Sequence, residues 1–136
     1  MNRIVSIKWY GDAIENALTQ SIQAGVETAV KQTLYKEVLD EIFSPKHGRW
    51  YVKADGKLHH ASAPGEPFAN DTGASVEGIE FRKGILEAEL VSTDEKNMEL
   101  EFGGQNDARP VYRPAMVNSQ DAIMKDIADS IKKVIK

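Results

Sequence analysis

The chain has 136 residues, of which 41% are hydrophobic and 28% charged, and its formal net charge is −4. These values indicate one globular domain over residues 1–136 and exclude a disordered chain. The acidic balance argues against a conventional nucleic-acid-binding domain, and the absence of cysteine excludes disulfides and thiolate chemistry.

Targeting signals are not expected in this sequence. No apolar run reaches about 18 residues, the length that indicates a membrane-spanning helix. The first twelve residues, MNRIVSIKWYGD, lack the apolar core and cleavage site of a signal peptide. We therefore expect no membrane partner and a cytoplasmic folding compartment.

Charge is unevenly placed along the chain. Residues 66–107 contain 11 acidic and 3 basic side chains, whereas the remainder is net basic. Opposite charge blocks favour association between copies of the chain, and the alternative is that both blocks are solvated faces.

The N-terminal part predicts a short strand followed by one long helix. Alternation over Ile4–Trp9 indicates the strand, and Asp12 is a candidate N-cap of the helix. Apolar residues at steps of three or four then continue to Phe43. Gly25 lies near the middle, so the helix either breaks there or continues and overhangs its own domain.

Residues 46–73 predict an irregular arm. Asp55-Gly56 between two short runs indicates a hairpin of Trp50–Lys53 with Lys57–His60. The segment Ala61–Gly73 is rich in Pro, Gly and Asn, so no regular element is expected there. Aromatic and apolar residues in such segments indicate a subunit or partner interface, and the alternative is a hairpin folded back on the long helix.

The C-terminal part predicts three strands and a closing helix. The strands are Val76–Phe81, Ile85–Val91 and Asn97–Phe102, the last two forming a hairpin, and the helix starts at Ala115. The fold class is therefore α+β, with the N-terminal and C-terminal helices packed on a mostly antiparallel sheet. The predicted core comprises Ile14, Leu18, Ile22, Leu86, Leu90, Leu100, Phe102, Ile123 and Ile127.

Four glutamates, Glu87, Glu89, Glu99 and Glu101, would share the outward face of that hairpin. Three interpretations stay open: a solvated outer face, a metal site, or a wall that repels polyanions such as DNA.

No catalytic, cofactor-binding or metal-binding motif stands out in the sequence. His59 and His60 are adjacent on a predicted strand and would point to opposite faces, and Ser62 has no evident orienting partner. We therefore expect no enzyme. The alternatives are a small metal-binding or hydrolytic domain built on these histidines or on the four glutamates, and a solitary protein-binding module.

Five short segments carry a resemblance. They are Ala61–Pro67 (ASAPGEP), Asp71–Gly73 (DTG), Leu100–Gly103 (LEFG), Ala108–Pro110 (ARP) and Arg113–Ala115 (RPA). In this order the sequence resembles the tail-completion, or head–tail joining, proteins of long-tailed phages, and the likeness covers nearly the whole chain.

The sequence departs from that family pattern at several positions. Phe68 replaces a second proline, Gly104 stands where threonine is common, and Tyr112 follows Val111 where Phe-Leu is expected. Ala74–Val76 lacks the usual basic residue. None of these departures concerns a catalytic group, since the family has none.

The resemblance implies a virion neck protein, assembled in the host cytoplasm, that forms a ring, with a hexamer as the expected form. Its partners would be the head connector or head-completion protein and the tail tube or tail terminator. DNA would pass through without sequence-specific binding, and no cofactor is expected. The candidate interface residues are Trp50, Tyr51, Leu58, Pro64, Phe68, Arg109, Tyr112 and Arg113. In such a ring the four glutamates would line the lumen or, alternatively, the outer rim.

Overall fold

A computed structural model describes residues 11–70, 73–105 and 107–135 of the chain. In chain order its elements are α1 (Gly11–Thr28), a π-helical segment (Ala29–Leu34), α2 (Tyr35–Ile42), β1 (Trp50–Val52), β2 (Leu58–His60), α3 (Ala74–Glu77), β3 (Ile79–Gly84), β4 (Glu87–Ser92), α4 (Glu95–Phe102) and α5 (Tyr112–Lys132). Helices and antiparallel strands together confirm the α+β class. The strand predicted for Ile4–Trp9 lies outside the described residues.

The long N-terminal helix is continuous through Gly25. A side chain at this position would collide with α5, since a Cβ atom there would lie 2.9 Å from the Ser130 Cβ and 3.0 Å from the Ile127 Cα. Glycine is therefore required by a close helix contact and does not mark a break. The Ser21 hydroxyl donates to the Ser130 carbonyl at 2.8 Å across the same contact. The part of this long helix that departs from α-helical geometry is the π-helical segment Ala29–Leu34, which follows α1.

The strands form two separate antiparallel hairpins. β1 pairs with β2 across the predicted Asp55-Gly56 turn, where Gly56 has a φ of 81°. This prediction is confirmed. β3 pairs with β4, and their turn lies at Ile85 and Leu86. The strand predicted for Val76–Phe81 therefore begins later, at Ile79, because α3 occupies Ala74–Glu77. No regular element occupies the described part of the Ala61–Gly73 loop.

The strand predicted for Asn97–Phe102 is wrong, because these residues belong to helix α4. Asp94 is its N-cap, with a side-chain oxygen 3.1 Å from the backbone nitrogen of Lys96. Gly103, with a φ of 82°, follows the helix end. The predicted hairpin of β4 with a third strand therefore does not form, and its four-glutamate face is lost.

The core lies where α2, the 61–70 loop and the start of α5 meet. Its buried hydrophobic cluster comprises Val38, Ile42, Phe68, Val111 and Ala115. Among the predicted core residues, Leu90 and Leu100 pack against this cluster, whereas Leu18, Ile22, Ile123 and Ile127 are half-buried. Ile14, Leu86 and Phe102 are exposed, so their prediction as core residues is wrong.

Helix α5 begins at Tyr112, three residues before the predicted start. Pro114 falls in its first turn, where a missing N–H leaves no intrahelical bond unmade. Within the described residues, no helix combines the length and apolar character needed to cross a membrane.

Candidate interaction surfaces

The β1–β2 hairpin, hereafter the arm, presents three exposed apolar side chains on one face. The strand register places Trp50 opposite His60 and Val52 opposite Leu58, and such directly paired residues share a face of a hairpin. Trp50, Val52 and Leu58 are 59%, 67% and 63% exposed. We call these three residues the arm face. The Trp50 ring stacks on the His60 ring, with centroids 4.1 Å apart and planes 10° apart, so the indole is held in place while remaining accessible.

The two adjacent histidines have separate partners. His60 stacks on Trp50 and places its Nε2 atom 2.9 Å from the Gly48 carbonyl, whereas His59 meets the Tyr51 ring edge-on at 5.2 Å. They therefore lie on opposite faces, as predicted. In residues 11–70, 73–105 and 107–135, no group of three or more His, Asp or Glu residues is arranged to hold a metal ion.

The base of the arm is held by the neighbouring loop. Gly48 donates to the Ala61 carbonyl and Ala61 donates to the Arg49 carbonyl, both at 3.0 Å. Ser62 is buried, and its hydroxyl accepts from the Arg109 Nε at 2.8 Å. Ser62 is thus a structural link to the loop before α5, and Arg109 lies at the arm base.

The Glu66 carboxylate also holds the base of the arm together. Glu66 accepts hydrogen bonds from the backbone N–H of Ala63 at 2.8 Å and of His47 at 3.0 Å, and its other oxygen lies 2.5 Å from the His47 Nδ1. The backbone donors of Ala63 and His47, together with the His47 ring, lower the pKa of Glu66 from 4.5 to about 2.

A second apolar surface is a cleft between the end of β4, α4 and the start of α5, hereafter the α4 cleft. Its volume is about 540 Å³. Its apolar lining consists of Leu90, Val91, Met98, Phe102, Tyr112 and Met116. Met98, Phe102 and Met116 are exposed, although large apolar side chains near a core are usually covered.

Two buried polar atoms at this cleft lack a hydrogen-bond partner among the described residues. They are the Asn97 Oδ1 and the Tyr112 hydroxyl. Asn97 is only 2% exposed, and its amide nitrogen donates to the Ser92 hydroxyl at 2.7 Å. Burial raises the pKa of Tyr112, so its hydroxyl stays protonated. Buried polar atoms normally have partners, and the Ser92 and Asn97 side chains lie close enough to the Tyr112 hydroxyl to oppose the rise in its pKa.

Glu101 joins α4 to the start of α5, the two helices that form walls of the cleft. It is 4% exposed, and its Oε2 accepts from the backbone nitrogens of Val111 at 2.6 Å and Tyr112 at 3.0 Å. Its Oε1 accepts from the Arg113 nitrogen at 2.8 Å. One carboxylate therefore satisfies three donors at the N-terminus of α5, where negative charge is favourable. No local sequence pattern reveals this cap, because the helix it serves begins 11 residues later.

The predicted site residues separate into distinct environments. Trp50, Tyr51 and Leu58 are exposed on the arm, and Pro64 is exposed in the loop. Phe68 is 1% exposed in the core, so its expected exposure is wrong. Tyr112 and Arg113 line the α4 cleft.

The predicted glutamate face is likewise divided. Glu87 and Glu89 are exposed on β4 and Glu99 is exposed on α4, whereas Glu101 is buried and cannot belong to an outward acidic face. Of the two apolar surfaces described above, the arm face projects and the α4 cleft is concave. Comparisons with models of protein families, with curated proteins and with solved structures find no match for this chain.

Proposed function

We propose that the chain is a structural adaptor subunit of a phage or prophage head–tail interface. It would form a ring, with a hexamer as the expected form, that joins the tail tube to the head connector and lets DNA pass. The observation that carries the proposal is the arm face, because three large apolar side chains projecting on a braced hairpin are typical of an interaction site.

Four of the five segments that carry the resemblance, all except Asp71–Gly73, are linked by hydrogen bonds. The Gly65 nitrogen donates to the Ala108 carbonyl at 3.1 Å, and the Arg109 nitrogen donates to the Leu100 carbonyl at 2.6 Å. Glu101 in turn accepts from Arg113. The linked segments form one structural unit that anchors the arm. Such a structural role supports the resemblance, because the family pattern contains no catalytic residues.

The exposed carboxylates of Glu87, Glu89 and Glu99 are compatible with a channel that DNA crosses. Weak repulsion of phosphates would prevent the tight contacts that stall passage. The outer rim of the ring is the other location open to them.

The proposal is tested by light scattering and negative-stain electron microscopy of the purified chain. The purified chain is measured by itself and in mixtures with the connector and tail-tube proteins of a long-tailed phage. Closed rings with a central channel, formed by the chain or on those partners, are the expected result. A strict monomer with stoichiometric bound metal would support the metal-binding alternative. A monomer that binds one partner without ring formation would support a solitary binding module.

Two variants address the parts of the proposal. Deleting Lys53–Lys57 removes the arm tip and should abolish assembly, and intact assembly would contradict a role for the arm. Replacing Glu87, Glu89 and Glu99 with Gln should preserve the ring and change the salt dependence of DNA retention. Unchanged DNA retention in an intact ring would contradict a lumenal position. Glu101 is left unchanged because it caps α5.

A further inference from the structure

We propose that the arm face of one copy docks into the α4 cleft of a neighbouring copy, with Trp50 as the central side chain. This inference rests on the proposed ring function and specifies the contact between its subunits. The occupant of the cleft is a second copy of this chain. The arm face matches the cleft in apolar character, hydrogen-bonding capacity and charge.

The apolar surfaces match in character. Trp50, Val52 and Leu58 project from a short hairpin, and the cleft offers about 540 Å³ lined largely by apolar side chains. Met98 and Met116 flank it, and flexible thioether side chains adjust readily to an incoming group. Burying the exposed part of Trp50 would remove on the order of 150 Å² of its surface from water, which is typical of an interface hot spot.

The polar atoms also match. The cleft holds two buried polar atoms that make no hydrogen bond of good geometry among the described residues, the Asn97 Oδ1 and the Tyr112 hydroxyl, and these two side chains lie close together. An indole has a single polar group, an N–H donor. Trp50 has one ring face against His60, and the residue as a whole is 59% exposed. A docked Trp50 would bring an N–H donor beside these polar atoms, which a purely aliphatic side chain could not do.

The charges around the two surfaces are opposite in sign. Residues 49–60 contain three basic side chains and one acidic one. Of the charged side chains that line the cleft, Asp94, Glu95 and Glu101 are acidic and Arg113 is basic, so the lining is net negative. Complementary charge of this kind orients the partners and increases the association rate.

The symmetry of such a contact agrees with a ring. The arm face and the cleft are different surfaces, so each copy would use its arm on one neighbour and its cleft on the other. Heterologous contacts of this type generate closed rings or open filaments, whereas an isologous contact would stop at a dimer.

Because the chain has no cysteine, engineered cysteines report the contact without background. The test mixes full-length Val52→Cys with full-length Met98→Cys under mild oxidation, and repeats it with Met116→Cys as a second cleft position. We expect disulfide-linked dimers from the mixtures and a ladder of larger species from the Val52→Cys/Met98→Cys double variant. The control is Tyr51→Cys, which lies on the other face of the arm and should cross-link at least tenfold more slowly.

Three results would overturn the inference. They are cross-linking of Val52→Cys only with itself, cross-linking of the cleft variants only with themselves, and no cross-linking of either mixture at concentrations up to the millimolar range. The same mixtures are tested on connector and tail-tube proteins. Rings that assemble there without arm-to-cleft cross-links would leave the adaptor function standing and refute this contact. Cross-linked assemblies that do not bind the connector or tail-tube proteins would support the contact and refute the adaptor function.

A second measurement uses no cysteine. Trp50→Ala should weaken self-association by on the order of 30-fold in sedimentation equilibrium, as expected for a buried hot spot. Tyr51→Ala, which removes an aromatic ring from the opposite arm face, should change it less than threefold. Equal effects of the two variants would refute the role of Trp50.

Discussion

Glu101 and Arg113 are joined in both directions across the loop between α4 and α5. The Glu101 carboxylate accepts the Arg113 backbone N–H at 2.8 Å, and the Arg113 guanidinium donates to the Glu101 backbone carbonyl at 3.0 Å. The same guanidinium lies 5.0 Å from the centre of the Phe102 ring. The two helix ends that shape the α4 cleft are thereby fixed relative to each other.

Replacing Glu101 with Gln should destabilise the fold by about 1–3 kcal/mol, because buried backbone donors at the start of α5 would face an amide group in place of a carboxylate oxygen. The measurement is urea unfolding followed by far-ultraviolet circular dichroism. Glu99→Gln, the same chemical change at an exposed position of α4, is the matched control and should stay within about 0.5 kcal/mol of the parent. Equal effects would contradict the capping role.

Phe68→Ala should cost about 3–5 kcal/mol, since the side chain fills the core between Val38, Ile42 and Val111. Trp50→Ala should cost the monomer about 1 kcal/mol or less, because it removes one exposed stack on His60. Both are measured by urea unfolding at a protein concentration where the chain is monomeric. The reverse order would show that the arm, and not the loop, supplies core packing.

Gly25→Ala should destabilise the protein by about 1–3 kcal/mol, although alanine is the better helix former, because the added methyl group collides with Ser130. The exposed neighbouring change Ala24→Gly measures the helix-propensity term by itself, about 1 kcal/mol. Thermal unfolding gives both values. Adding Ser130→Gly to Gly25→Ala should recover part of the loss, and a stabilised Gly25→Ala variant would refute the close helix contact.

The pKa of Glu66 predicts a pH dependence for the arm base. Because this pKa is lowered from 4.5 to about 2 on folding, its ionised form stabilises the fold above pH 4.5, and this contribution is lost as pH falls from 4.5 towards 2. Urea midpoints measured across that range should fall more steeply for the parent than for Glu66→Gln. Nuclear magnetic resonance titration of the Glu66 carboxyl gives the pKa directly, and an ordinary value would contradict the hydrogen bonds to Ala63 and His47.

Sequence reasoning succeeded where the determining signals were local. Asp55-Gly56 is a turn signal that needs no tertiary support, and β1 and β2 formed on either side of it. The helical pattern was predicted to run to Phe43, and α2 ends at Ile42, shortly before Ser44-Pro45, where proline disfavours helical backbone at its predecessor. Confirmed elements of this kind depend on a few adjacent residues.

Sequence reasoning failed where two local signals competed. Alternating apolar and acidic residues over 98–102 indicate a strand, but Asp94 as N-cap and Gly103 after the end mark the same segment as a helix. The helix places Leu100 against the core and Glu101 under α5. The two helix-boundary residues, Asp94 and Gly103, were therefore better evidence for the secondary structure of this segment than its alternating pattern.

The core and the cleft could not be predicted, because they depend on contacts distant in sequence. Phe68 lies in a loop that reads as irregular and exposed, and it is buried only because α2 and α5 converge there. The cleft combines β4, α4 and α5, and its unpartnered Asn97 oxygen has no signature in the sequence. Two residues of the exposed arm face, Trp50 and Leu58, were in contrast predicted as interface residues from the sequence, whereas Val52 was not.

The π-helical segment Ala29–Leu34 gives the first helix a change of phase. Bonding from i to i+5 accommodates one additional residue, and each residue of a helix turns the direction of the next by about 100°. Residues on both sides of this segment pack against α5: Gly25 lies before it, and Val38 and Ile42, which also meet Phe68, lie after it. Removing one residue between 29 and 34 would give a more regular helix whose second half faces the wrong way. This stretch should therefore be more tolerant of a change in residue type than of a change in length.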